Sequence, residues 1–249
     1  LRRRQRQMCI RDRYQKTYTL HGKAYPMEIH GFVRHAQMTV EEQEATGCCF
    51  LLTDSPETLA IYPYSFAFRI RYTLKGQTLQ VAFQVENRSA EPLYCGMGGH
   101  PGFNVPMEEG LSFEDYELTF PEACTPSRVI FSPALQVAPE RLAYPLVEGR
   151  KLPLQHQLFD ADAVVLAGAP RQVTLSSPKG SHGVTVSYPQ MPYVGFWHKP
   201  QTDAPYVCME PWSILPGRDS LVEELSQMPD ITTVAPGETF ENRWSITIW

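Results

Sequence analysis

The chain has 249 residues, of which 43% are hydrophobic and 20% charged, an ordinary balance for a globular protein with a sizeable core. No apolar run approaches the roughly 20 residues that cross a bilayer, and no stretch has the order of a secretion signal, so we predict a cytoplasmic protein without a membrane partner. The first 13 residues carry a net charge of +5, which leaves about −10 on the rest, and an acidic body argues against nucleic acid as a partner.

The chain begins with LRRRQRQMCIRDR, which has almost no apolar periodicity. Such a segment buries too little apolar surface to order itself. We therefore predict that residues 1–13 are a disordered or non-native leader and that residues 14–249 form a single β domain.

The cysteines follow no metal-binding or redox pattern. They lie at positions 9, 48, 49, 95, 124 and 208, without a Cys-x-x-Cys pair or zinc-like spacing. Because a cytoplasmic compartment disfavours disulfides, we predict reduced and mostly buried thiols.

Alternating apolar and polar residues predict antiparallel strands. The alternation from Phe66 to Leu74 stops at Lys75-Gly76-Gln77 and resumes from Leu79 to Val85, which indicates a hairpin with one covered face. The 22 prolines disfavour a helical protein. The best helix candidate is SLVEELSQ at 220–227, which would span about two turns. The fold class predicted is mainly β.

One histidine segment stands out in the middle of the chain. The sequence CGMGGHPGFNVP at Cys95–Pro106 places His100 among glycines that permit close approach of other groups, namely Gly96, Gly98 and Gly99. The proline that follows the histidine biases it towards an extended backbone. On pattern alone this is either a loop that turns a strand corner or a histidine that faces a ligand.

Four further polar residues are candidates for a site. His30 precedes Gly31 and repeats the pairing of an imidazole with a residue that permits close approach. Asp160 and Asp162 would lie on one face of an extended chain, where they would form a metal site, a glycosidase pair or a solvated strand start. Glu210 is a lone carboxylate among apolar residues, and burying it without a partner is costly, which favours a functional role.

Two aromatic residues precede Glu210 in the sequence. Phe196 and Trp197 are expected either to stack on the apolar face of a sugar or to fill the core. We predict that His198, beside a lysine, is a surface or rim residue.

The segment GGHPGFNVP resembles the histidine segment of the aldose 1-epimerase family, the galactose mutarotase-like proteins, and in particular its lactose-operon X-type branch. Three further stretches match in the same order: IHGFVR at 29–34, LFDADAVVL at 158–166 and VCMEPW at 207–212. The resemblance implies an antiparallel β-sandwich, or supersandwich. It also implies truncation at the N-terminus, since relatives carry further strands before the HGF motif.

The same resemblance implies an isomerase that interconverts the α and β anomers of a hexose by opening and closing the ring. By resemblance, Glu210 is the base that takes the proton from the C1 hydroxyl and His100 is the acid that protonates the ring oxygen. Three residues would hold the sugar: His30, Arg34 and Asp162. Only protons move, so no metal and no organic cofactor is implied. The expected ligand is a small aldohexose, and the expected assembly is a monomer or a homodimer.

Other functions stay open on the residues alone. A non-catalytic carbohydrate-binding or sugar-sensing protein would keep the cleft and dispense with the acid and base. A glycosidase would pair Glu210 with one of the two aspartates at a defined separation. A metal-dependent enzyme would use His30, His35 and His100 as ligands, although their spacing matches no common ligand set.

Overall fold

A computed structural model describes residues 13–249. Its strands, in chain order, are β1 (Thr17–Leu20), β2 (Lys23–Pro26), β3 (Thr39–Glu44), β4 (Gly47–Thr53), β5 (Phe66–Lys75), β6 (Thr78–Asn87), β7 (Leu93–Cys95), β8 (Gly102–Asn104), β9 (Glu117–Thr119), β10 (Ser127–Phe131), β11 (Val137–Ala143), β12 (Lys151–Pro153), β13 (Val164–Ala167), β14 (Gln172–Ser176), β15 (Gly183–Ser187), β16 (Tyr193–Trp197), β17 (Tyr206–Trp212), β18 (Thr232–Val234) and β19 (Thr239–Ile248). The described residues hold one α-helix, α1 (Pro56–Ile61). Short 3₁₀ turns lie at Tyr14–Lys16, Val33–His35, Phe113–Asp115, His156–Phe159 and Leu225–Gln227.

Two large antiparallel sheets dominate the fold. Nine strands pair in the order β12-β9-β14-β15-β19-β6-β5-β4-β3, and six pair in the order β11-β10-β13-β16-β17-β8. Two hairpin-sized sheets, β1-β2 and β18-β7, lie beside them. The prediction of a mainly β, antiparallel fold is confirmed.

The predicted hairpin is formed by β5 and β6. Gly76 takes a left-handed φ of 57° in the turn, a conformation that glycine adopts without steric cost. Phe68 and Phe83 are fully buried, whereas Arg69 on the other face is partly exposed and pairs with Glu41. The apolar face of the hairpin belongs to a core cluster shared by both large sheets, which holds Phe83 and Trp244 of the nine-stranded sheet and Phe196 of the six-stranded sheet.

The helix prediction at 220–227 is wrong, since only a 3₁₀ turn at Leu225–Gln227 forms there. Part of the backbone of this segment bonds to β1: Thr19 N donates to the carbonyl of Glu223, and Ser220 has a φ of 60°. Ser55 caps α1, the one α-helix of the described residues, and its side-chain oxygen accepts from the backbone N–H of Thr58. This cap has a clear sequence basis, because serine followed by proline favours a helix start.

The start of the chain is described only in part. Residues 1–12 of the predicted leader lie outside the described residues, and Arg13 is buried, with its Nη1 3.2 Å from Glu223 Oε2. The five described cysteines form no disulfide, and three of them are buried: Cys49, Cys95 and Cys208. Among residues 13–249, the helices are too short to cross a membrane.

Candidate active site

Strand β17 separates core residues from site residues by simple alternation. Val207 and Met209 join the main core, while Cys208 and Glu210 point to the opposite face of the strand. The strand is paired on both sides, with β16 and with β8, so both side chains are held at fixed positions. Glu210 is only 2% exposed. The lone carboxylate that the sequence analysis singled out is thus buried, and its functional role stays a prediction.

The glycines before His100 let its loop lie against β17. A Cβ on Gly98 would lie 2.9 Å from the carbonyl oxygen of Pro211, and a Cβ on Gly99 would lie 2.7 Å from the ring of Trp244. Three backbone hydrogen bonds fix the loop: Gly99 N donates to Pro211 O, Met209 N to Pro101 O, and Ser213 N to Met97 O. The close approach that the sequence predicts at these two glycines is thus made by the chain itself.

His100 and Glu210 meet as an ion pair at the edge of this face. His100 Nε2 lies 3.2 Å from Glu210 Oε1, and the imidazole is 12% exposed against 2% for the carboxylate. A buried carboxylate beside an imidazole is stabilised when the imidazole is protonated, which offsets part of the cost of removing the charge from water. The imidazole is therefore the more exposed member of the pair.

Two rings flank His100. His30 has a φ of 66° and is followed by Gly31 at 68°, and this left-handed turn places its ring 6.1 Å from that of His100, edge to face. Trp197, at the end of β16, lies 5.8 Å from the His100 ring at an angle of 89°. Of the two aromatic candidates, Phe196 is a core residue and Trp197 lies beside the ion pair. His30, His100, Trp197 and Glu210 thus come together from four parts of the chain.

Arg34 lies in the 3₁₀ turn that follows the His30 loop. Its side chain is exposed, and its Nε donates to Nε2 of His35 at 2.8 Å. Arg34 is close to His30 in the sequence. In this structure its guanidinium is hydrogen-bonded to the imidazole of His35.

The two aspartates do not share a face of an extended chain, and that prediction is wrong. Asp160 follows the 3₁₀ turn His156–Phe159 with helical backbone angles, whereas Asp162 has a φ of 86°. Oδ1 of Asp162 accepts a hydrogen bond from the backbone N–H of Ala163 at 2.9 Å. Because β13 starts two residues later and pairs with β16, Asp162 lies at the same end of the sheet as Trp197.

His198, the residue after Trp197, forms a second histidine pair with His156. His198 is fully buried, which corrects the prediction of a surface or rim residue. Its Nδ1 lies 2.8 Å from the carbonyl oxygen of Lys199, so Nδ1 carries the proton, and its Nε2 accepts from Nδ1 of His156 at 3.0 Å. The His156 ring stacks on Phe113 at 3.9 Å. Burial lowers the pKa of His198, which favours the neutral imidazole and with it the role of Nε2 as the acceptor from His156.

The histidine set considered for a metal enzyme is not brought together. Among the described residues, the metal-ligand atoms that cluster belong to His100, Cys208 and Glu210, all within 4.8 Å of one another, whereas His35 pairs with Arg34. Sequence reasoning missed Cys208 as a site residue. The signal was present, since residues two apart on a strand share a face and Glu210 was already a candidate.

The chain is similar to known proteins over most of its length. A sequence model of the family described as aldose 1-epimerase matches residues 7–247. The chain belongs to the aldose 1-epimerase family. Among its relatives is the protein LacX (chromosomal) of Lactococcus lactis subsp. lactis, which is 34% identical over 229 residues, covering 88% of this chain and 74% of LacX. This confirms the predicted LacX-type branch of the aldose 1-epimerase family.

Solved structures of related proteins share the fold. A galactose mutarotase related enzyme from Lactobacillus acidophilus superposes with a TM-score of 0.91 at 31% identity, covering 97% of this chain and 81% of that protein. A galactose mutarotase-like protein from Lactobacillus casei gives a TM-score of 0.90 at 28% identity, covering 97% and 83%. The predicted galactose mutarotase-like architecture of this aldose 1-epimerase family member is confirmed.

Proposed function

We propose that this chain is a cofactor-independent aldose 1-epimerase, which interconverts the α and β anomers of a free aldohexose. The observation that supports this proposal above all is the ion pair of His100 and Glu210, 3.2 Å apart at the edge of a fixed strand. Membership of the family supports the reaction class.

The chemistry requires one acid and one base close together. The hydroxyl that loses a proton and the ring oxygen that gains one are bonded to the same carbon, C1. Glu210 takes the proton of the C1 hydroxyl while the protonated His100 gives its proton to the ring oxygen, and the C1–O5 bond breaks to give the aldehyde. Rotation about C1–C2 presents the other face, and the reverse proton transfers close the ring as the other anomer.

The groups around the pair suit the binding of a sugar. Trp197 offers an aromatic face beside His100, on which the apolar C–H face of a pyranose packs. His30 also lies beside the imidazole of His100. Asp162 and Trp197 lie at the same end of the six-stranded sheet. We propose that His30, Arg34 and Asp162 donate or accept hydrogen bonds with sugar hydroxyls, with Arg34 turning from His35 towards the ligand.

The decisive experiment measures the mutarotation of freshly dissolved α-D-glucose and α-D-galactose by polarimetry. We expect the wild type to accelerate it and Glu210→Gln to lose at least about a hundredfold of that acceleration, the usual contribution of a positioned general base. Glu117→Gln is the matched control, because Glu117 is a partly buried carboxylate of β9 in the other sheet. An unchanged rate in Glu210→Gln would remove this residue from the mechanism.

Sugar binding is measured separately by calorimetry. If folded protein binds galactose and does not accelerate mutarotation, the chain is a non-catalytic carbohydrate-binding protein instead. We expect Glu210→Gln to keep measurable affinity for the sugar, since its amide retains a hydrogen-bonding oxygen.

A further inference from the structure

The base and the acid of the proposed reaction share their site with a thiol. Cys208 lies two residues before Glu210 on the same face of β17, and His100 lies across from both. The Sγ, Nε2 or Nδ1, and carboxylate atoms that these residues offer all lie within 4.8 Å of one another. Neither the family nor the proposed epimerase chemistry assigns a role to this thiol.

These distances fit a tetrahedral metal ion. Zinc binds nitrogen at about 2.0–2.1 Å, thiolate at about 2.3 Å and carboxylate oxygen at about 2.0–2.2 Å, which places neighbouring ligand atoms roughly 3.3–3.8 Å apart. His100 Nε2 and Glu210 Oε1 already lie at 3.2 Å. The remaining ligand atoms lie at most 4.8 Å apart, so their separations need to shorten by no more than about 1.5 Å, a shift that side-chain rotation supplies.

The donor set selects the kind of metal. One imidazole, one thiolate and one carboxylate suit zinc, copper or cobalt, whereas magnesium and calcium prefer oxygen ligands alone. Three protein ligands leave the fourth position open to water or to a sugar hydroxyl. Pairing of β17 with β16 and β8 holds two of the ligands on a rigid strand, so little ordering is needed when the ion binds.

We propose that His100, Cys208 and Glu210 form an inhibitory binding site for a zinc-like divalent ion. Binding releases the proton of the Cys208 thiol, and it occupies the imidazole nitrogen and the carboxylate oxygen. Those are the atoms that exchange protons with the sugar in the proposed reaction, so the bound ion and turnover exclude each other. The inhibition rests on the proposed function, whereas the metal site itself does not.

The first test is spectroscopic and needs no turnover. Chelator-treated full-length protein is titrated with Co²⁺, and we expect tetrahedral d–d absorption together with a thiolate-to-cobalt charge-transfer band, at one ion per chain, both reversed by Zn²⁺. Cys208→Ala is expected to lose the charge-transfer band. It should also bind zinc at least about tenfold more weakly, because the loss of a residue that only hydrogen-bonds to a metal ligand already costs that much. An unchanged spectrum in Cys208→Ala overturns the proposal.

A matched control is available at Cys49. This thiol is also buried beside a carboxylate, with Sγ 3.5 Å from Glu41 Oε2, and the same substitution to alanine is expected to leave the cobalt spectrum unchanged. If Cys208→Ala does not fold, alkylation of wild type replaces it: Zn²⁺ should slow modification of Cys208 and not that of Cys124. Equal modification of Cys208 with and without Zn²⁺ contradicts the site.

Inhibition is then tested on its own. If the wild type accelerates mutarotation, micromolar Zn²⁺ should abolish the acceleration and excess chelator should restore it, and Cys208→Ala should need at least about tenfold more Zn²⁺. Equal sensitivity of the two proteins contradicts an inhibitory role for this site. A cobalt spectrum that depends on Cys208, in protein without turnover, would support the metal site and count against the epimerase reaction alone.

Discussion

Gly99 packs closely against the ring of Trp244, and substitution of this glycine by alanine tests whether the close packing is required. Its Cβ position lies 2.7 Å from the ring of Trp244, a side chain that is itself buried and cannot swing away. We expect Gly99→Ala to lower the free energy of unfolding by about 1–3 kcal/mol, the usual cost of overpacking, and to reduce turnover by displacing His100. Urea denaturation and polarimetry measure the two effects.

Gly102→Ala is the control for that substitution. A Cβ at Gly102 would make only an ordinary contact of 3.4 Å with Sγ of Cys208. We expect a stability change within about 0.5 kcal/mol. Equal destabilisation by the two alanines would contradict a specific clash with the Trp244 ring, since the lower backbone entropy of the unfolded chain would by itself make both alanine variants more stable.

His198 makes the stability of the protein depend on pH. Burial lowers its pKa in the folded state, so below about pH 6.5 the unfolded chain binds a proton more readily than the folded one. The contribution of neutral His198 to the free energy of unfolding is therefore present at neutral pH and is lost as the pH falls. The charged or titratable groups that influence His198 are His156, Asp160 and Asp203.

His198→Gln tests this sign. The amide oxygen still accepts from His156, but the side chain does not titrate. At pH 7 we expect a loss of about 1–3 kcal/mol from the missing bond to the Lys199 carbonyl, and between pH 7 and pH 5.5 a smaller further fall in melting temperature than in the wild type. His21→Gln, at an exposed turn, should follow the wild-type profile. Parallel profiles for wild type and His198→Gln would contradict the assignment.

At the scale of elements, period-two alternation was a reliable guide where one face of a strand is covered. It predicted β5, β6 and the turn at Gly76 because apolar and polar residues alternate through both strands. It failed at Asp160 and Asp162, since a 3₁₀ turn and a left-handed residue replace extended chain there. The helix expected near Ser220 did not form, because the backbone carbonyl of Glu223 is bonded to β1, a long-range contact invisible in local sequence.

The β5-β6 hairpin should carry much of the stability of the nine-stranded sheet. Phe83 of β6 is fully buried, with ring centroids 6.1 Å from Phe68 and 6.2 Å from Trp244. We expect Phe83→Ala to cost about 3–5 kcal/mol by chemical denaturation, and Gln80→Ala, exposed on the same strand, less than about 0.5 kcal/mol. Comparable losses at the two positions would mean that Phe83 does not anchor the core.

At the scale of the whole molecule, one core cluster joins the two large sheets. Phe120 and Phe196 lie 6.3 Å apart, and both belong to the cluster that also holds Trp244. We therefore expect thermal unfolding in one transition, with tryptophan fluorescence and far-ultraviolet circular dichroism giving the same midpoint. Two separate midpoints would show that the sheets unfold independently and would contradict a single domain over residues 14–249.

The sequence could suggest the family and most strands, but not how the strands are distributed between sheets. Pairings such as β8 with β17 join segments about a hundred residues apart, and no local pattern encodes them. For the same reason, the meeting of His30, His100 and Glu210 came from resemblance to a family and not from spacing. The buried His156–His198 pair had no sequence signal, because a histidine beside a lysine is typical of a surface.

The place of β19 in its sheet has a consequence for synthesis on the ribosome. This strand lies between β15 and β6 and pairs with both, yet it is translated after every other described strand. Until it emerges, the facing edges of β6 and β15 have no β19 backbone with which to bond, and such edges invite pairing with other chains. A nascent chain of this protein is thus most exposed to misassembly, and most in need of a chaperone, in the interval just before β19 leaves the exit tunnel.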